Sequence, residues 1–165
     1  MEYQLSSTLE IRFFYGQQNK QMNTYTELIR FLEAQNQVYL KALSEIKKGK
    51  KDTHWMWYIF PQLKGLGSSE TAQYYGIKDW NEATAYLQHP ILGPHLIEIS
   101  SAVLQLEEKT AAEIFGTPDD LKLRSCMTLF ATVENADPVF ESVLEKYFNS
   151  IPDQQTLELL NRIKS

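Results

Sequence analysis

The chain has 165 residues, a length that fits one domain able to bury roughly 70% of its unfolded surface. Hydrophobic residues make up 43% and charged residues 22%, which is ordinary for a soluble globular protein. The formal net charge of −5 argues against a nucleic-acid partner, because binding to phosphates draws heavily on Lys and Arg.

The first predicted helix begins near Thr24 and ends near Lys48. Thr24 and Glu27 have the spacing of a capping box, and Gly49 is a typical helix stop. Apolar residues recur at helical spacing along this segment, at Leu28, Phe31, Leu32, Tyr39, Ala42, Leu43 and Ile46.

The residues before this helix do not show the same signals. Leu9–Tyr15 has the composition of a strand, yet no other segment is an obvious partner for it. We therefore expect residues 1–23 to be an N-terminal extension that is either a strand or disordered. Residues 24–165 are expected to form a single helical domain.

An aromatic cluster occupies residues 54–62 and holds two of the three tryptophans. Each aromatic side chain can bury about 150–250 Å², so the cluster lies in a core or lines a pocket. We predict a short helix here, opened by Asp52 or Thr53 and ended at Pro61. A strand is the alternative, because periodicity does not separate the two in so short a run.

Gly and Ser residues mark a loop over residues 63–69. Ser69 is placed to cap a short helix that runs through Tyr75. Asp79 opens the next helix, which ends near Gln88.

Capping residues, prolines and glycines predict further helices over residues 94–107, 110–115, 117–132, 137–148 and 153–163. The strongest start is at Thr117, where a capping hydroxyl precedes a proline and two carboxylates. The prediction as a whole is an all-α fold, a multi-helix array of about seven or eight helices.

Common catalytic and cofactor motifs are poorly supported. His54, His89 and His95 lack the spacing of a metal site, and the sequence indicates no metal and no cofactor. Residues 65–67 contain two glycines but neither the third glycine of a dinucleotide fingerprint nor the Lys-Ser/Thr ending of a P-loop. The single cysteine, Cys126, falls within a predicted helix and is expected in the core.

Polar residues recur where apolar ones are expected, at Gln35, His54, Gln62, Lys122, Ser125 and Thr128. Each buried polar group costs on the order of 1–3 kcal/mol unless it is paired. These residues therefore form either a structural hydrogen-bond network or the polar lining of a pocket. The sequence leaves both interpretations open.

If a pocket exists, we expect its walls to be Trp55, Trp57 and Tyr58. Its polar, ligand-binding groups would be Gln35, His54, Gln62, Lys122 and Ser125.

His54 is the candidate catalytic residue of such a pocket, because an imidazole pKa of roughly 6.5 suits general acid–base chemistry. Lys122 would hold an anionic group, and aromatic walls beside a lysine suit a nucleotide-derived ligand. The competing hypothesis is a non-catalytic protein-interaction module, in which the polar residues only order the core and residues 1–23 recruit a partner.

Membrane and secretion signals are not visible in the sequence. The longest apolar run, Trp55–Phe60, is too short to cross a bilayer, and residues 1–21 lack the pattern of a secretory signal. We expect a cytoplasmic protein with no membrane partner. The oligomeric state is not predicted.

Several linked motifs occur in order along the chain, at Arg30–Gln35, His54–Gln62, Gly65–Gly67, Glu82–Gly93, Ile114–Gly116 and Lys122–Phe130. Together they resemble a bacterial and plant family catalogued as domain of unknown function 1810, over about four-fifths of the chain. The resemblance implies a mainly α-helical fold and implies no activity. The family pattern usually has Ser at Cys126, and residues 1–23 are additional to it. A weaker analogy, through residues 127–144, links the chain to helical proteins that cleave ADP-ribose-type N-glycosidic bonds.

Overall fold

The computed structural model describes the backbone of residues 3–164 and the side chains of Met22 and residues 26–163. The helices in that range are α1 (Tyr3–Lys47), α2 (Met56–Ile59), α3 (Glu70–Tyr75), α4 (Trp80–Gln88), α5 (Leu92–Leu104), α6 (Ala111–Phe115), α7 (Asp119–Ala131), α8 (Val139–Phe148) and α9 (Gln154–Lys164). No strand occurs among the described residues, although an isolated parallel bridge joins Leu63 to Ile77. The predicted all-α fold is confirmed.

Helix α1 begins at Tyr3 instead of near Thr24. The backbone is helical over Leu9–Tyr15, where the sequence suggested a strand. No proline interrupts the segment, so each backbone N–H can bond to the carbonyl four residues earlier and no N-cap is needed. At the expected start the Thr26 hydroxyl donates to the Met22 carbonyl at 2.9 Å, within one continuous helix. The division into an extension and a domain stays a prediction.

Three of the predicted helix starts are capped as expected. Ser69, Asp79 and Thr110 each accept a hydrogen bond from the backbone N–H three residues later. The predicted stop of α1 is also present, because Gly49 follows Lys47 closely and adopts a φ of 76°. These signals act within a few residues of chain, which is why the sequence located the helix boundaries.

The cap predicted for α2 is wrong, and so is the strand alternative. Helix α2 begins at Met56, and Trp55 occupies the N-cap position without a side-chain hydrogen bond. Asp52 and Thr53, the expected caps, instead direct their backbone N–H groups to the carboxylate of Glu45.

Helix α7 starts where predicted but also lacks the expected cap. The N-cap position before Asp119 is Pro118, not Thr117, and no side chain caps it. The N–H of Asp120 bonds to the carbonyl of Gly116, and the next two N–H groups bond to the carbonyl of Pro118. The first-turn donors are thus satisfied by backbone, which removes the need for a capping hydroxyl.

The core is formed largely by α1, α4, α5, α7 and α8. Helix α5 packs against α1, α4 and α8, and α7 packs against α4, α6, α8 and α9. The largest fully buried side chains are Trp55, Tyr86, Phe31, Phe60, Phe130 and Phe140. Helix α7 contacts both α6 and α9, and its first turns contain Lys122 and Ser125.

Candidate functional site

A surface cleft of about 670 Å³ lies where the aromatic segment, the loop after it, α7 and the start of α9 meet. Trp57 and Gln62 contribute from the aromatic segment, Lys122 and Ser125 from α7, and Asp153 from the residue before α9. The volume falls within the range of small-molecule sites, roughly 300–1,000 Å³.

Trp55 does not reach this cleft, which corrects its expected role as a pocket wall. Its side chain is fully buried, and its Nε1 donates to Glu45 Oε2 at 2.8 Å. The rings of Phe60 and Phe115 have centroids 6.2 and 6.4 Å away. Side chains two positions apart point in nearly opposite directions around a helical turn, so Trp55 faces the core when Trp57 faces the cleft.

Glu45 is the buried acceptor that holds this segment in place. Its Oε2 accepts the backbone N–H groups of Asp52 and Thr53 at 2.8 and 3.0 Å, and its Oε1 accepts the Thr53 hydroxyl at 2.6 Å. Burial alone would raise the pKa of the Glu45 carboxyl. The hydrogen bonds from Thr53, Asp52 and Trp55 outweigh that effect and lower its pKa to about 2.

Trp57 is partly exposed and is paired with a lysine at the cleft. Lys122 Nζ lies 4.9 Å from the centre of its ring and 2.8 Å from Asp119 Oδ1. The other oxygen of Asp119 accepts Lys51 Nζ at 2.8 Å, and that nitrogen lies 5.2 Å from the Trp55 ring. One carboxylate therefore links two lysines, each stacked on a tryptophan, and the three charges sum to +1.

Asp119 stays ionised in this arrangement. Burial alone would raise the pKa of its carboxyl, but the hydrogen bonds from Lys122 and Lys51 outweigh burial and lower the pKa below its usual value.

Ser125 lies at the cleft with its hydroxyl already engaged. The hydroxyl is 3.1 Å from the Leu121 carbonyl and 3.2 Å from Asp153 Oδ2. The same Asp153 oxygen accepts the backbone N–H of Thr156 at 3.0 Å, so it caps α9.

Arg124 and Thr128 of α7 fasten the start of α9 beside the cleft. The guanidinium of Arg124 donates to the carbonyls of Ile151 and Pro152 at 2.9 and 3.0 Å. The Thr128 hydroxyl accepts the backbone N–H of Asp153 at 2.8 Å. The wall formed by α9 is therefore held by side chains of α7.

Gln35 belongs to a structural network and does not line the cleft. It is 2% exposed, and its Nε2 donates to the Tyr58 carbonyl at 2.7 Å and the Tyr86 hydroxyl at 2.9 Å. Both amide hydrogens are thereby used. Gln35 Oε1 lies 2.9 Å from His95 Nδ1, and because an amide oxygen can only accept, His95 Nδ1 is the donor.

Tyr58 and His54 also lie away from the cleft. The ring of Tyr58 packs 5.1 Å from that of Tyr75, and its hydroxyl donates to the carbonyl of His54 at 3.2 Å. The His54 side chain is exposed and is not among the residues that line the cleft.

The structure brings four of the eight predicted site residues together at one cleft, namely Trp57, Gln62, Lys122 and Ser125. Sequence reasoning did not assign Asp119 or Asp153 to the site, because each carries a helix-start signal that already explained it. For Asp119 a further signal existed, since it precedes Lys122 by three residues, the spacing of paired charges on one helix face.

A cavity of about 20 Å³ adjoins this cleft at Trp57 and Gln62, and two larger clefts lie elsewhere among the described residues. One of about 550 Å³ lies against α8 beside Glu141 and Glu145, and one of about 520 Å³ lies beside Arg30 and Glu82. Neither is lined by any of the eight predicted site residues. The cleft at Trp57 is therefore the candidate functional site.

Neither a metal site nor a membrane span was found in the part of the chain that the structure describes. There, no three or more His, Cys, Asp or Glu side chains are grouped so that they would hold a metal ion. Within the same part, no helix has the length and apolar character that crossing a membrane requires.

The fold and the cleft define a helical protein with an aromatic and polar surface site. Residues 25–160 match the family model described as a protein of unknown function, DUF1810, and the chain belongs to this family. It is also similar to a solved structure, the conserved hypothetical protein Rv1873 from Mycobacterium tuberculosis. The two chains are 49% identical, the match covers 82% of this chain and 96% of that one, and the TM-score is 0.80. No curated protein matches the chain.

Proposed function

We propose that the protein binds a small nucleotide-derived ligand in the cleft at Trp57, with the ligand's anionic group at Lys122. The observation that carries the proposal is the Lys51–Asp119–Lys122 arrangement, which leaves a net charge of +1 beside a partly exposed indole.

Unused hydrogen-bond donors support an anion as one part of the ligand. Asp119 takes one of the three hydrogens of the Lys122 ammonium. Trp57 Nε1, the amide of Gln62 and the hydroxyl of Ser68 have no hydrogen-bond partner among the described residues. Donors that line a cleft and have no acceptor of their own favour a ligand with acceptor atoms, such as a phosphate or carboxylate.

The aromatic wall supports a planar group as a second part of the ligand. Trp57 presents partly exposed indole surface to the cleft, where a base can pack against it with offset or edge-to-face geometry. Lys122 covers part of that ring, so the ligand would share the indole with the ammonium.

The proposal is limited to binding, because the cleft does not contain His54. That residue's role as a general acid or base rests on sequence alone, since its exposed side chain is not part of the lining. A cytoplasmic location is likewise proposed from the sequence.

Thermal-shift screening over nucleotides, NAD, ADP-ribose and sugar phosphates tests the proposal. A ligand at about 100 times its Kd adds roughly 2.7 kcal/mol of stability, or a rise in Tm of about 5–10 °C. Lys122→Met and Trp57→Leu should lose this response. Lys50→Met, which removes an exposed lysine outside the cleft, should keep it. Identical responses in all three variants would contradict the assignment of the cleft.

The same compounds test for catalysis. Chromatography of NAD and ADP-ribose after incubation with the protein would reveal cleavage of an N-glycosidic bond. Unchanged compounds beside a positive thermal shift would indicate binding without that reaction.

A second proposal is that the protein acts as an interaction module through its N-terminal residues. The supporting observation is that α1 extends from Tyr3, whereas the family match begins at residue 25. Deletion of residues 1–21 should then abolish self-association in analytical ultracentrifugation while Tm stays unchanged. An unaltered sedimentation profile would count against the module.

A further inference from the structure

We propose that the cleft recognises a sugar hydroxyl group at Asp153, about one helical turn from the anion site at Lys122. The ligand class is then a sugar phosphate, either free or as part of a nucleotide. This inference rests on the proposed function and specifies which part of the ligand determines selectivity.

One carboxylate oxygen of Asp153 is left without a hydrogen-bond partner among the described residues. Its Oδ2 accepts from the Ser125 hydroxyl and from the backbone N–H and hydroxyl of Thr156. Its Oδ1 has no partner among the described residues and is not a buried atom. Asp153 therefore has a free carboxylate oxygen, and the residue lines the cleft.

The free oxygen of Asp153 disfavours an anionic group nearby. A phosphate placed against a free carboxylate is repelled, so the Asp153 end of the cleft needs a hydrogen-bond donor. The Lys122 end needs an acceptor, as argued above. A ligand that fits both ends is a small molecule with an anionic group and a hydrogen-bond donor.

The positive charges around Asp153 favour a neutral hydroxyl over an ammonium as that donor. The Arg124 guanidinium contributes positive charge beside Asp153 while it donates to the carbonyls of Ile151 and Pro152. Asp153 also lies at the N-terminus of α9, which is the positive end of the helix dipole. The surroundings therefore already compensate the carboxylate, and an incoming cation would meet positive charge.

The residues that carry the two ends are neighbours in the fold. Lys122 and Ser125 are three residues apart on α7, which corresponds to a rise of about 4.5 Å. The Ser125 hydroxyl lies 3.2 Å from Asp153 Oδ2, so Asp153 contacts α7 about one helical turn from Lys122, and one small ligand such as a sugar phosphate can contact both residues. The side-chain amides of Gln154 and Gln155 also line the cleft and offer further groups to a polyol.

Calorimetric titration of the full chain separates this inference from the proposed function. The probes are ribose 5-phosphate, 2-deoxyribose 5-phosphate, inorganic phosphate and 2-aminoethyl phosphate. Because hydrogen bonds to charged groups are strong, ribose 5-phosphate should bind about 10- to 100-fold more tightly than inorganic phosphate. Equal affinity for the two would overturn the sugar assignment and leave anion binding intact. Absence of binding by every phosphate compound would overturn both, and tightest binding by the amine would replace the hydroxyl with an ammonium.

Asp153→Asn tests the residue itself, because Asn is as good an N-cap as Asp and keeps α9 capped. The variant should lose the preference for ribose 5-phosphate and keep its affinity for inorganic phosphate within about 2-fold. Asp153→Ser provides a second capping variant with the same expectation. Asp137→Asn is the matched control, since Asp137 Oδ1 accepts the Val139 N–H at 2.9 Å at the start of α8 and Asp137 does not line the cleft. Equal weakening of every probe by Asp153→Asn would indicate a purely structural carboxylate and overturn the inference.

Discussion

Trp55 and Trp57 are two residues apart and occupy opposite environments. Trp55 is fully buried, and its indole N–H is bonded to Glu45. Trp57 is partly exposed, and its indole N–H has no partner among the described residues. A lysine ammonium nevertheless lies over each ring, and the two lysines form ion pairs with the same carboxylate, that of Asp119.

In this segment, the polar groups on the core side have hydrogen-bond partners, whereas several donors on the cleft side have none among the described residues. On the core side, the carboxylate of Glu45 saturates the surrounding donors with four hydrogen bonds. On the cleft side, donors of Trp57, Gln62 and Lys122 remain available to a ligand. We therefore expect substitutions on the core side to change stability and substitutions on the cleft side to change binding.

Exchange of each tryptophan for alanine should give the largest contrast. Trp55→Ala should lower the free energy of unfolding by about 4 kcal/mol, since it empties a buried site. Trp57→Ala should lower it by only about 1 kcal/mol, because the ring is partly exposed. Urea denaturation of both variants checks this prediction. Similar losses in the two would remove the distinction between core and cleft.

Glu45→Gln should have the next largest effect, about 2 kcal/mol, because one amide oxygen cannot accept the four hydrogen bonds. Its pH dependence has a defined sign. The carboxyl pKa is lowered from 4.5 to about 2 on folding, so its contribution is full above about pH 5 and is lost as the pH falls toward 2. The difference in unfolding free energy between wild type and variant should shrink over that window. A difference independent of pH would show that ionisation of Glu45 does not stabilise the fold.

Asp119→Asn should change both the stability of the fold and the binding of a ligand at the cleft. It leaves the ammonium of Lys51, whose side chain is 7% exposed, without its carboxylate, and should cost about 1–2 kcal/mol of stability. The same change removes a negative charge beside Lys122 and should strengthen binding of inorganic phosphate at low salt. Denaturation and phosphate titration measure the two effects. Weaker phosphate binding would mean that Asp119 is required to position Lys122.

Fluorescence quenching should give the smallest but most direct signal. In a Trp80→Phe background, iodide should quench Trp57 and leave Trp55 largely unquenched, as their exposure requires. The two remaining emitters can be separated with Trp57→Phe. Complete quenching of Trp55 in the native state would contradict its place in the core.

Local signals in the sequence accounted for most helix boundaries, and the failures have a common cause. Ser69, Asp79 and Thr110 cap helices as predicted, since a cap needs only the next three residues. No helix begins at Thr24, because the backbone before it is already helical. Thr53 does not cap α2, because its hydroxyl bonds to Glu45 and the helix begins only at Met56. A cap predicted from the next three residues alone is therefore wrong when the preceding chain is helical or when a residue farther away binds the capping side chain.

The candidate site was only half predictable for the same reason. Composition and spacing indicated that polar residues such as Gln35 and Lys122 needed either partners or a pocket, but not which of the two each would find. Gln35 is paired with His95, 60 positions away, whereas Lys122 lies at an open cleft. Asp153 meets Ser125 across 28 positions, and no periodic pattern reports such a contact.

The sequence by itself determined the all-α class, most helix boundaries, the family and the polar residues that required an explanation. These properties depend on hydrogen bonds and side-chain periodicity within a few residues, or on motifs read directly from the chain. Only the tertiary structure decided that Trp55 enters the core, that Trp57 faces a cleft, and that Asp119 connects their two lysines. Those outcomes depend on which distant groups meet when apolar surface is buried, because burial decides which polar groups must pair and which stay free.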